Sequence, residues 1–186
     1  MSSDADRLPP IHPDAWTPAQ RAEAQEIING PRGKLITPFI PLIRSPELMG
    51  HCQRMGEYLR YRSSIGLRLS ELAILLTARF WNQSAEWAIH APIALEQGIA
   101  PSTMDAILDG REPVGLPPDE ALVFRFCQEL HATKTVSEAV WEQSIQMLGE
   151  QGTIDLIGVN GYYAMLAMVM NAAHTPAPAS PGPKLR

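Results

Sequence analysis

Residues 71–98 read ELAILLTARFWNQSAEWAIHAPIALEQG. Up to Phe80 the stretch is apolar on most sides, with Leu72, Ala73, Ile74, Leu75 and Leu76 in one run. A helix with so little polar surface is stable only among other helices. The spacing predicts a buried helix over 69–80, a tight Asn82-Gln83 connection, and a second helix over 84–97 stopped by Gly98. If the pair packs antiparallel through that short connection, the start of the first helix comes beside the second. Pro92 deletes one backbone hydrogen bond of the second helix and is expected to bend it just after His90.

The same grammar extends outward. Thr17-Pro18-Ala19-Gln20 reads as an N-cap, a first-turn proline and a capping-box partner, and Gly30-Pro31 closes that helix. Ser45-Pro46-Glu47 opens another, carrying Leu48, Met49, Cys52, Met55 and Leu59 at three- and four-residue steps. Between them GKLITPFIPLIR is apolar but broken by Pro38 and Pro41, which predicts a covering loop packed on the core. Further helices are expected over 101–109, over 118–132, after Ser137 with Trp141, Ile145 and Leu148, and over 153–173. Alternating strands are lacking, so the fold class is all-α. In the last helix Asp155, Asn160, Gly158 and Gly161 interrupt the apolar run that a membrane span requires. The two glycines make it either a central core member or a subunit seam.

The 186 residues suit one domain, with 45% hydrophobic and 19% charged residues. It is assigned to residues 17–174, between a flexible leader over 1–16 and a disordered Pro-rich tail over 175–186. A net charge of −5 with no Lys/Arg run leaves no basic face for a phosphate backbone, so nucleic-acid partners are not expected. Cys52 and Cys127 fit neither a disulfide framework nor a thiolate metal site, and a reducing cytoplasm is the simplest location. The first residues lack the basic start and apolar run of an export signal.

Glu86 and His90, four residues apart on one helix, put a carboxylate and an imidazole one turn apart on the same face. Gln83 and Trp87 lie on or beside that face. Folding the helix pair back brings Glu71 toward the same place. Two carboxylates and one imidazole among apolar side chains make a proton-transfer device, because burial and a like-charged neighbour push one acid's pKa up while the other pairs with histidine. Arg79 is positioned to hold an anionic substrate group with its planar fork of donors. Plainer readings stand beside these. Glu86 and His90 also suit a solvated helix face, Glu71 a first-turn acid favoured by the helix dipole, Arg79 a helix-end cap, and Trp87 a core filler. His12, His51, His131 and His174 have no motif around them, and both cysteines suit small buried hydrophobes.

With these residues in place, the chain resembles the carboxymuconolactone decarboxylase family of the alkyl hydroperoxidase D-like superfamily. The resemblance spans about residues 31–173. It rests on PRG at Pro31–Gly33, ELAILLTAR at Glu71–Arg79, EWAIH at Glu86–His90 and GYYAMLAM at Gly161–Met168. Glu71 and His90 match the glutamate and histidine, nineteen residues apart, of the hydroperoxidase branch. That branch's Cys-x-x-Cys pair is replaced by Gln83 and Glu86, which removes the attacking and resolving thiols. Glu86 and His90 match the Glu-x-x-x-His of the lactone decarboxylase branch.

The resemblance implies a helical bundle, a homo-oligomer (trimer or hexamer), and an acid-base enzyme with no metal or organic cofactor. Its substrate would be a small anionic molecule, a carboxylated lactone or related carbonyl compound met in the breakdown of aromatic compounds. On this reading His90, Glu86 and Glu71 are catalytic, and Arg79, Gln83 and Trp87 bind substrate. The alternatives are a hydroperoxide reductase using Cys52 or Cys127 and a non-catalytic ligand-binding relative. Lactone hydrolysis or isomerisation by the same pair fits equally.

Overall fold

Thr17 caps the first helix as its sequence requires, its side chain accepting from the Gln20 amide while Gln20 Oε1 accepts from the Thr17 amide at 2.9 Å. In the computed structural model, which describes residues 5–179 and residue 185, α1 (Pro18–Asn29) follows a 3₁₀ turn (Pro13–Ala15). It is succeeded by α2 (Phe39–Leu42), α3 (Pro46–Tyr61), α4 (Gly66–Phe80), α5 (Ser84–Glu96), α6 (Pro101–Leu108), α7 (Pro118–Thr133) and α8 (Glu138–Ala173). The fold is all-α, with no strand among the described residues.

The central member is α4, which packs against α3, α5, α6, α7 and α8. Its residues 69–75 are all buried, which explains why its sequence carries so few polar positions. The turn into α5 is made at Asn82, whose φ of 49° is left-handed and suits the short polar side chain of asparagine. α5 runs through Pro92 to Glu96. Gly149, at φ 72° and ψ 175°, breaks α8 into the two pieces the sequence predicts.

α8 is the one helix among the described residues with the length and composition to cross a membrane, and 56% of its most apolar stretch is buried against the bundle. Asp155 interrupts it for a local reason. Its carboxylate accepts from Tyr58 Oη, the Ser64 amide and Ser64 Oγ at 2.8–3.2 Å, tying the α3–α4 turn to α8. Gly158 is a point of close approach, where an added Cβ would meet Leu59 at 3.1 Å.

The segment between α1 and α3 is the expected cover, with one short helix inside it, and it buries Phe39, Leu42 and Ile43. Residues 5–16 of the expected leader lie along the body of the bundle. The Arg7 amide donates to Ala173 O at 2.9 Å, Arg44 donates to the carbonyls of Leu8 and Pro9, and Ile11 and Trp16 pack on the core. In the expected tail, residues 176–179 are exposed and Leu185 is buried against the core. Residues 1–4, 180–184 and 186 of the two expected arms fall outside the described residues.

Candidate functional site

Glu71 leaves α4 toward α5 and meets His90 there. Its Oε2 lies 2.7 Å from His90 Nδ1, and the side chains are 0% and 4% exposed. The other ring nitrogen, Nε2, faces Glu86 Oε2 at 3.4 Å, one turn back on α5. From α3, Arg60 brings its Nε to 3.5 Å from Glu71 Oε1. Tyr163 of α8 stands edge-on to the imidazole with ring centroids 5.1 Å apart, and Tyr162 packs edge-on to Tyr163.

Burial by itself would pull the His90 pKa down. The charge and hydrogen bond of Glu71, reinforced by Glu86, outweigh it and raise the value to about 9. His90 is therefore an imidazolium at neutral pH, with Nδ1–H donating to Glu71 and Nε2–H directed toward Glu86. Both oxygens of Glu86 are buried without a hydrogen-bond donor. A carboxylate left in that condition is costly, which makes it a candidate for function over structure. Burial also pushes the pKa of Tyr163 well above its ordinary value, so the phenol stays neutral.

Glu86, His90 and Ile89 line one side of a cavity of about 20 Å³, closed by Tyr162 and Tyr163 and by the covering segment through Ile36, Pro38 and Phe39. That volume holds about one water molecule. Arg32 and Arg60 complete the wall and are its two guanidinium groups. Arg32 donates to Gln53 Oε1 at 3.0 Å and lies over the Phe39 ring. The site thus has an oriented proton donor, a carboxylate paired only loosely with it at 3.4 Å, two guanidinium groups and apolar walls.

The structure brings together three of the six residues expected at the site. Glu71, Glu86 and His90 converge, with Glu71 behind the imidazole and Glu86 at the cavity. Arg79 does not join them. Eight residues beyond Glu71 on α4, it is turned by about 80° and displaced by about 12 Å along the axis. It donates from Nε to Leu108 O at 3.0 Å and lines a different cavity. Gln83 is the N-cap of α5. Its Oε1 accepts from the Ala85 amide at 2.6 Å and its Nε2 donates to Asn171 Oδ1 at 2.8 Å, so its polar atoms are engaged by the fold. Trp87 is 1% exposed and belongs to the hydrophobic core.

Sequence reasoning missed Arg32, Arg60 and Tyr163. The tyrosine sits in the GYYAMLAM block, where an aromatic facing α5 was a legible possibility. The two arginines come from a loop and from the last turn of α3, and only the tertiary fold carries them to His90. Among the described residues no group of three or more His, Cys, Asp or Glu side chains is arranged to hold a metal ion. No protein-family model matches the chain, and no curated protein matches it.

Proposed function

We propose that the chain is a cofactor-free acid-base enzyme of the carboxymuconolactone decarboxylase type, built on an alkyl hydroperoxidase D-like bundle. Its substrate on this reading is a small carboxylated lactone or related carbonyl compound. The observation that carries the proposal is the buried relay from Glu71 through His90 to a cavity faced by Glu86.

The substrate carboxylate enters against Arg32 and Arg60, which take the role the sequence suggests for Arg79. Its C–C bond breaks, carbon dioxide leaves, and the electron pair passes into the conjugated carbonyl system. His90, cationic through its acidic neighbours, delivers the Nε2 proton to the carbanionic carbon. Glu71 holds the ring by Nδ1 throughout, and Glu86 is the second group able to exchange a proton with the cavity. A lactone exceeds about 20 Å³, so catalysis requires the covering segment around Arg32–Phe39 to swing outward on binding.

Thiol-based peroxide reduction is the weaker reading. Burial pushes the Cys127 thiol up to about 12 and raises that of Cys52, which starves both of thiolate. The homo-oligomer remains part of the proposal. Ile154, Gly161 and Met168, at seven-residue steps, are exposed and uncharged on α8, a seam suited to a second copy. The location proposed is the cytoplasm.

The test is decarboxylation of carboxylated lactones in deuterated water. The expected result is carbon dioxide release with one deuterium placed on a carbon of the delocalised carbanion, slowed about 10²- to 10⁴-fold in His90→Gln. A near-normal rate in that variant removes His90 from the mechanism. Ring-opened product without carbon dioxide would reassign the reaction to lactone hydrolysis.

A further inference from the structure

On the far side of α4 lies a second cavity of about 200 Å³, between α4, α6 and α7, and its lining shares no residue with the His90 cavity. Leu76, Ile107, Phe124 and Phe80 supply apolar and aromatic wall, and Arg79 supplies the charge. Arg79 uses only Nε within the protein, on Leu108 O. Among the described residues its two terminal nitrogens meet no acceptor and no carboxylate lies within 4.0 Å, in a chain of 20 acidic residues. Gln128 adds an exposed amide to the lining, and Lys134, over the Phe80 ring, donates to His131 O. Arg111 pairs with Asp109 at 2.8 Å. His131, stacked on Phe80 with centroids 4.7 Å apart, is kept neutral by burial. Gly110, at φ 69°, stands against the guanidinium, where an added Cβ would come within 3.2 Å of Nη2. A glycine there leaves Arg79 room to point along the cavity.

We infer that this cavity is a binding site for a small aromatic monocarboxylate, held by the two terminal nitrogens of Arg79 with its ring against Phe80, Phe124 and Ile107. The size selects the ring. An apolar cavity of about 150 Å³ accepts benzene, so about 200 Å³ accommodates one ring with one carboxylate. The mostly apolar lining discriminates against inorganic anions, which leave the walls unfilled and keep too few donors. The planar fork of arginine matches a carboxylate with two parallel hydrogen bonds. This inference is independent of the chemistry proposed at His90.

The test titrates benzoate into the full chain, following the Ile107 and Ile89 methyl resonances, with calorimetry for affinity and with toluene and inorganic phosphate as parallel probes. Ile107 lines this cavity and Ile89 lines the other. Expected are saturable benzoate binding below about 1 mM, shifts at Ile107 and not at Ile89, and weaker binding of both control probes. Arg79→Met should lose about tenfold or more in affinity, the loss expected for a charge-assisted bidentate contact. Phe80→Ala, at a half-exposed position that leaves the core intact, should weaken binding without altering the helical circular dichroism. Absence of saturation, shifts at Ile89, phosphate binding as tight as benzoate, or unchanged affinity in both variants would overturn the inference.

Discussion

Glu71 Oε2 sits 2.7 Å from His90 Nδ1, whereas the other acid, Glu86, keeps both oxygens without a hydrogen-bond donor. The two carboxylates therefore respond differently to neutralisation. Glu71→Gln breaks a buried, hydrogen-bonded ion pair and leaves Arg60 and His90 beside an uncharged amide. It should cost about 3–5 kcal/mol of folding stability and lower the His90 pKa. Glu86→Gln removes the looser partner of the imidazolium, 3.4 Å from Nε2, so its stability loss should be smaller than that of Glu71→Gln, while turnover falls sharply. Urea unfolding of both variants, beside rates on the proposed lactone substrate, separates the positioning acid from the cavity-facing one. Equal stability losses would mean that the two acids share one structural role.

The histidines predict a stability maximum near pH 6.5. His90 has its folded pKa raised to about 9, so its contribution is complete below the unfolded value of 6.5 and is lost as pH rises through 9. His131 has its folded pKa lowered to about 4 by burial, so its neutral form supports folding above 6.5 and loses that support as pH falls toward 4. Each limb should amount to about 2–3 kcal/mol. Above pH 9 the buried Cys127 thiol, protonated in the fold up to about 12, adds a further loss. Urea midpoints across the range should trace this dome, with His90→Gln flattening the alkaline limb and His131→Gln the acid one. A flat profile between pH 6.5 and 9 in the parent would show that Glu71 does not hold His90 charged.

Two glycines should react oppositely to the same substitution. An added Cβ at Gly56 of α3 would fall 2.2 Å from Tyr162 Oη, a rigid ring in the wall of the His90 cavity. Gly56→Ala should destabilise by about 1–3 kcal/mol through overpacking and displace Tyr162 and Tyr163 from the imidazole. At Gly161 of α8 nothing lies within 4 Å of the added atom. Gly161→Ala should stabilise the isolated chain by about 0.5–1 kcal/mol, the helix-propensity gain of alanine. Thermal melts of the two variants give the signs directly.

The helices were legible because their punctuation is local. The Thr17-Gln20 capping box, the prolines at 18, 46, 101 and 118, and the unbroken apolar run of α4 each fix an element within a few residues of sequence. The Glu71–His90 contact was legible for the same reason, since a turn as short as Asn82-Gln83 leaves the helix pair one way to fold. Arg79 was misplaced because sequence proximity to the turn says nothing of rotation about the α4 axis, and that rotation aims it at α6. Gln83 was misread because an amide beside a polar face also makes a good N-cap, and the cap engages its polar atoms. Arg32 and Arg60 lay beyond reach, since α1, the cover and α3 must all be placed before either guanidinium can be assigned to His90.

Those two guanidiniums carry the last prediction. Arg32 is anchored by Gln53 and stacked over Phe39, away from the relay, whereas Arg60 also stands 3.5 Å from Glu71. A substrate carboxylate bound by both should therefore lose affinity alone when Arg32 is removed, and affinity together with turnover when Arg60 is. Each charge-assisted contact is worth about 1.5–3 kcal/mol, or about 10- to 150-fold. Arg32→Met should raise KM by about that factor with kcat held within about threefold. Arg60→Met should depress kcat as well and shift the alkaline pH limit of the rate upward, because the His90 imidazolium then loses a like-charged neighbour. Steady-state kinetics over pH resolves the two patterns. An Arg32→Met enzyme with parental KM would place the substrate anion elsewhere and leave Arg32 as a strut between the cover and α3.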